Sequence, residues 1–269
     1  MSAPVLVDIG ANLAHGSFDR DRAEVIARAR AAGIAAMIVT GSSLADSARA
    51  LALCRQWPRQ LRATAGVHPH HASGFAESDV AELRALLAEP MAVAAGECGL
   101  DYYRNFSPPD EQRRAFALQL ALAATQPKPL FLHQRDAHAE FLPILKEHRP
   151  QLGDVVVHCF TDTQAALEDY LALECSIGIT GWICDERRGL PLREAVKAIP
   201  DDKLLVETDA PYLLPRTAPK TSHRRNEPMF LPYVVRALAQ ARGQTEEHVG
   251  RVTATNAARF FRLPVSSRA

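Results

Sequence analysis

The sequence predicts an α/β fold, a single (β/α)₈ TIM barrel, on three observations. Eight short, β-branched apolar runs alternate with longer amphipathic stretches from one end to the other. The chain has 269 residues, a length that suits eight βα units. Histidines and carboxylates fall at the predicted C-terminal ends of several strands, the end where such barrels carry their chemistry.

The elements follow in order. A strand at 5–9 precedes a helix at 20–32, which stops at Gly33, a residue suited to the left-handed position after a helix. A strand at 35–40 leads to a helix at 43–56, ended before Pro58. The third strand, 62–67, is followed by a helix at 77–87. The fourth, 92–97, precedes a helix at 109–125, whose start at Ser107-Pro108-Pro109-Asp110-Glu111 places prolines and acids where a helix N-terminus favours them. Strands at 129–133, 155–159 and 175–180 alternate with helices at 137–147, 164–173 and 191–198. The last strand, 203–208, is followed by helices at 228–242 and 245–260. Runs that are apolar on both faces suit a parallel sheet covered by helices. A doubly wound open sheet would want a glycine-rich phosphate loop after the first strand, and Gly10-Ala11-Asn12-Leu13 matches it poorly. With no linker, low-complexity tract or short repeat, one domain over 1–269 is expected.

Thirty-one basic residues balance thirty-one acidic ones, so a polyanion must be bound by a local patch rather than a global field. The N-terminal stretch lacks the basic and apolar regions of a signal peptide, and the longest apolar runs are strand-sized. Five scattered cysteines without a CxxC pair suit a reducing compartment. A cytoplasmic protein without a membrane span, monomeric at this size, is expected.

Strands four, five, six and eight end in Glu97, His133, His158 and Asp209. Two imidazoles and two carboxylates converging on one barrel mouth would suit a divalent cation with positions left open. Such an ion activates water and polarises a phosphoryl or carbonyl oxygen. One strand-end histidine alone is more often a hydrogen-bonded rim residue; four ligand types at four strand ends outweigh that reading. Within His68-Pro69-His70-His71, His68 is expected to contact substrate, with His70 and His71 as loop residues. His15, His138, His148 and His248 read as solvent-facing. The loop 214–228 concentrates Arg216, Lys220, Arg224 and Arg225 after the last strand, a place where barrels bind phosphate.

Four segments carry a resemblance: Gly96-Glu97-Cys98-Gly99-Leu100-Asp101-Tyr102, Leu132-His133-Gln134-Arg135-Asp136-Ala137, Val157-His158-Cys159-Phe160 and Glu207-Thr208-Asp209-Ala210-Pro211-Tyr212. Together they resemble the signatures of TatD-type metal-dependent DNases, and the likeness runs from Asp8 to beyond Asn256. It implies a TIM barrel of the metallo-dependent hydrolase type and a 3′-to-5′ exonuclease acting on single-stranded DNA and RNA with magnesium, for which manganese and zinc are the alternatives. It also implies that Glu97, His133 and His158 are metal ligands. Asp209 falls on the strand-eight acid that binds metal or handles the proton of the attacking water. Many relatives carry D-x-H-x-H at the first strand, whereas Asp8-Ile9-Gly10-Ala11-Asn12 replaces both histidines. One or two ions therefore remain open.

Phosphodiester hydrolysis is the leading expectation. Glu97 and Asp209 would be catalytic, and His68, Arg135, Arg216, Arg224 and Arg225 would contact substrate. Tyr102, Trp182 or Tyr212 would stack on unpaired bases. A small-molecule amide or ester hydrolase on the same barrel, or a catalytically silent nucleic-acid-binding protein, are the alternatives.

Overall fold

The computed structural model describes residues 5–219 and 224–263. Eight strands run parallel and neighbour one another in chain order: β1 (Leu6–Ala11), β2 (Ile34–Val39), β3 (Leu61–Ala65), β4 (Ala92–Asp101), β5 (Leu130–Arg135), β6 (Val155–Val157), β7 (Ser176–Ile179) and β8 (Leu204–Val206). Helices α1 (Arg22–Ala31), α2 (Leu44–Gln56), α3 (Val80–Ala88), α4 (Pro109–Ala123), α5 (His138–His148), α6 (Gln164–Ala172) and α7 (Leu190–Ala195) separate them. Two more, α8 (Leu231–Arg242) and α9 (Glu246–Phe260), follow β8.

Backbone and side chain close the barrel between β8 and β1. Asp209 N–H donates to Gly10 O at 2.8 Å and Asn12 N–H to Ala210 O at 2.7 Å. Asp8, wholly buried, accepts from the backbone N–H and the hydroxyl of Thr208 at 2.9 and 2.5 Å. A buried carboxyl needs such partners. The stitch places Asp209 beside the end of β1.

Two layers of apolar packing hold the frame. Val7, Ile9, Ile38, Ala94, Phe131, Val156 and Leu205 point into the barrel, where they meet Phe260 and Phe261 at the end of α9. Asn256 of α9 donates to the carbonyls of Asp201 and Leu204, so this plug sits at the N-terminal end of β8. The C-terminal mouth is left open to chemistry. A second, larger layer fills the space between strands and helices.

The predicted strand count, order and helix count hold, with differences at the ends. β4 continues to Asp101, past the expected stop at 97, because its pairing with β5 runs on from Cys98 and Leu132 to Asp101 and Arg135, with Gly96 and Gly99 letting the two backbones approach closely. β6 and β8 are only three residues long, shorter than 155–159 and 203–208. The chain leaves the ladder there so that His158 and Asp209 can turn inward, and Cys159 and Asp209 take positive φ of 47° and 54°.

Candidate metal centre

Glu97 is the hub of the mouth, and a break in strand register puts it there. Gly96 pairs with Phe131 and Cys98 with Leu132, leaving Glu97 as the extra residue of a bulge between β4 and β5. A bulge re-aims a side chain that a regular strand would direct elsewhere. Its Oε1 lies 2.6 Å from His158 Nε2, 2.9 Å from His133 Nδ1 and 3.4 Å from His68 Nε2. The two imidazole nitrogens of His133 and His158 are 3.3 Å apart. One carboxylate oxygen thus faces nitrogens from the ends of three other strands.

Two of these separations, 3.3 and 3.4 Å, match a cation's needs directly, and the hydrogen-bonded pairs at 2.6 and 2.9 Å would open slightly around an ion. Donors bound to one ion by bonds of about 2.1 Å stand about 3.0–3.4 Å apart at octahedral or tetrahedral angles. His68, Glu97 and His133 each offer a ligand atom within 4.8 Å of the others, and His158 adjoins them through Glu97 and His133. His68, expected to contact substrate, therefore lies among the candidate ligand atoms. A carboxylate with imidazoles suits a divalent ion of borderline character.

The electrostatics point the same way. Burial alone would raise the Glu97 carboxyl, yet the charge of His158 foremost and the bonds from His133 and His158 hold it well below the usual range. Burial pushes the His68 imidazole down to about 4, which keeps it neutral with a lone pair to offer. Burial works against a charged His158 too, but Glu97 and Glu207 outweigh it and lift that group well above its ordinary value. Asp209 is pushed up to about 7, by burial first; His158 lowers it, while Glu97 and Glu207 raise it further. The centre is a place of negative potential, the field that a divalent cation relieves.

Asp209 stands at the edge of this cluster, its Oδ1 accepting from Asn12 Nδ2 at 2.9 Å. Asn12, one of the two residues at the histidine positions of strand one, thus orients the strand-eight acid. Gly10, the other, leaves room: a Cβ there would lie 2.3 Å from Glu207 Oε2. Gly178 clears the opposite side, where a Cβ would come within 2.6 Å of Glu207 Oε1. In the slot between them Glu207, wholly buried, accepts from Cys159 N–H at 2.6 Å and lies 3.4 Å from His158 Nδ1. Sequence reading missed Glu207 because it lay inside the expected eighth strand. The signal was its place in Glu207-Thr208-Asp209, a carboxylate two residues before the strand-eight acid.

A further set of contacts holds these candidate ligands in place. Asp101 Oδ2 lies 2.8 Å from His70 Nε2 and 3.5 Å from His133 Nε2, a buried nitrogen with no closer partner. His70 is therefore part of the centre's support and not only a loop residue. Two glutamines on α4 pin the strand ends. Gln112 accepts from Asp101 N–H at 2.8 Å and donates to Ser107 O, while Gln119 accepts from Val67 N–H and donates to Val67 O at 2.8 and 2.9 Å. Val67 precedes His68, so α4 fixes both His68 and Asp101.

The expected substrate contacts divide. Arg135, at the end of β5, lies over the exposed ring of Tyr103 at 3.9 Å. Arg216 is half-exposed and pairs with Asp185 at 2.9 Å. Arg224 is exposed. Arg225 differs from the expectation: it is nearly buried and donates to both oxygens of Asp21, to Glu227 and to Ser17 O, with its guanidinium over Phe18. Two carboxylates hold its donors, so it ties the loop after β8 to α1. Lys220 lies outside the described residues. His138 and His248 are also not simply solvent-facing: each is part-buried and faces an aspartate, Asp169 and Asp201. Of the aromatics expected to stack, Tyr102 donates to Glu140 and Trp182 packs on the core, while Tyr212 is exposed. Tyr103 and Phe106, exposed beside the centre, went unread.

Known proteins resemble this chain in sequence and in fold. The chain is 52% identical over 259 residues to a protein of Edwardsiella piscicida named 3′-5′ ssDNA/RNA exonuclease TatD, covering 96% of this chain and all of that one. A protein of the same name from Dickeya dadantii is 50% identical, covering 96% and 98%. A TatD homologue of Escherichia coli superposes with a TM-score of 0.87 at 27% identity, covering 96% and 98%. A TatD-family hydrolase of Entamoeba histolytica shares the fold, with a TM-score of 0.87 at 24% identity over 97% and 99%. The family description "TatD related DNase" matches residues 7–262, a span that holds the bulged Glu97, the three histidines around it and the strand-eight acid. On that match and that identity, this chain belongs to the TatD-related DNase family.

Proposed function

We propose that the chain is a divalent-metal-dependent 3′-to-5′ exonuclease that hydrolyses single-stranded DNA and RNA. The observation that carries this is the convergence of His68, His133 and His158 on Glu97 Oε1 with Asp209 beside them, in a chain about half identical to relatives named for that activity. Glu97, His133 and His158, with His68 adjoining, would hold the ion, and magnesium is the proposed metal. When bound, the ion supplies Lewis acidity at a phosphoryl oxygen and makes a nearby water more acidic.

The chain's own residues supply the rest. Asp209, with Oδ1 tied to Asn12, offers Oδ2 to the proton of the attacking water. As the water oxygen bonds to phosphorus, the bond to the leaving oxygen breaks with its electron pair on that oxygen, and the proton taken by Asp209 is returned through solvent to the leaving oxygen, restoring the carboxylate. Glu207 steadies His158 and the turn at Cys159, and Asp101 steadies His133. Arg135, Arg216 and Arg224 would grip flanking phosphates, since guanidinium forks match phosphate oxygens. In this reading the protein acts as one domain and a monomer in the cytoplasm; among the described residues no helix is long and apolar enough to cross a membrane.

Oligonucleotides labelled at either end, single-stranded or duplex, DNA or RNA, test the reading. Magnesium-dependent release of mononucleotides from the 3′ end of single strands is the expected result. Internal cuts, or release from the 5′ end, would overturn the polarity. No cleavage under any metal would overturn the nuclease itself.

A further inference from the structure

Next to the centre, the loops that follow β2, β3 and β4 enclose an open cleft of about 450 Å³. His70 and Phe106 line it on the side of the centre, with Val67, Phe75, Ser43 and Ser73 among the other lining residues. Phe106 presents a large apolar ring, 67% exposed, at the edge of this cleft. Its backbone is fixed all the same. The neighbouring Ser107, buried, accepts from Ser73 N–H and donates to His70 O, both at 3.1 Å, tying the two loops together.

The cleft is continuous with the chemistry. The Phe106 ring meets the His70 ring edge-on at 4.7 Å, and His70 meets His68 at 4.2 Å. His68 Nε2 is 3.4 Å from Glu97 Oε1. Two imidazoles therefore separate the exposed phenyl face from the hub carboxylate. The volume lies low in the range of about 300–1,000 Å³ typical of small-ligand sites, room for one nucleotide and not a run of them.

Resting on the nuclease reading, we propose that this cleft seats the base of one nucleotide flanking the scissile phosphate, stacked on Phe106. An aromatic face accepts any base, which suits digestion without sequence preference. The hydroxyls of Ser43 and Ser73 and the exposed imidazole of His71 line the same cleft and can meet varied base edges. A base still paired in a duplex cannot enter it, so the seat also explains a demand for single strands.

The test compares intact single-stranded DNA with the same strand carrying an abasic residue on one or the other side of the terminal phosphodiester. For the wild type, one of the two abasic positions should lower kcat/KM about ten-fold, in keeping with the worth of one base–aromatic stack. Phe106→Ala should lose a similar factor on the intact strand and lose no further factor on that abasic strand. Phe106→Trp should restore discrimination. Because the ring is exposed, both variants should melt with the wild type, which separates loss of the seat from loss of fold. Equal losses for Phe106→Ala on intact and abasic strands, or no loss on either, would overturn the seat while leaving the nuclease standing. No cleavage by the wild type would overturn the nuclease reading and the seat with it.

Discussion

At the scale of single residues, the centre depends on what is absent as much as on what is present. Gly10 is needed because Glu207 fills the space where a side chain would be. Gly10→Ala is expected to cost about 1–3 kcal/mol, the usual cost of forced overpacking, and to weaken metal binding by displacing Glu207 from His158. Thermal melting and calorimetric metal titration read the two effects, and a variant that matches the wild type in both would refute the fit. Asp209 carries the sharper prediction. The carboxamide of Asp209→Asn keeps the contact with Asn12 but cannot take a proton, so kcat should fall by about two to four orders of magnitude. Metal affinity should stay near wild type; a matching fall in affinity would make Asp209 a ligand instead. Glu97, His133, His158 and Asp209 were legible because each ends a predicted strand within a recognisable motif. Glu207 and His70 were not, because their roles arise from neighbours more than thirty residues away in sequence.

At the scale of elements, loops and strand ends are held by partners that periodicity does not reveal. The bulge at Glu97 is a matter of register between β4 and β5, and a single strand's pattern carries no register. The same limit hid the role of Arg225, which its charge and its place in a basic loop marked as a phosphate contact. It instead links α1 to the loop after β8 through Asp21 and Glu227. Arg225→Ala should therefore lower stability by about 1–3 kcal/mol, as loss of hydrogen bonds to charged groups does. The pH dependence follows from Asp21, whose carboxyl Arg225 foremost holds down at about 2 from an ordinary 3.8. A depressed carboxyl contributes stability that is present above about pH 4 and lost as pH falls toward 2. The Tm gap between wild type and Arg225→Ala should narrow over that window. A gap that stays constant to pH 2 would mean the pair contributes nothing to folding.

At the scale of the whole molecule, the barrel was the most legible feature. Eight buried, apolar runs spaced by amphipathic helices leave few other ways to cover a parallel sheet. Its plugged lower end and open upper end then decide where chemistry can occur. With zero formal net charge, the molecule offers no long-range pull on a polyanion, so strand binding should depend on a few local contacts. Arg224→Ala should reduce the salt slope of single-strand affinity by about one, as loss of one phosphate contact does, with little change in Tm. An unchanged slope would remove Arg224 from the substrate path. The central claim is that Glu97 gathers one ion on which hydrolysis depends. Its most direct measurement is turnover of 3′-labelled single-stranded DNA by the wild type and by Glu97→Gln, with magnesium and with excess chelator. The wild type should release nucleotides with magnesium and stop with chelator, and Glu97→Gln should stay folded yet inactive at every magnesium concentration. Chelator-resistant cleavage by the wild type, or near-normal turnover by folded Glu97→Gln at limiting magnesium, would contradict the account.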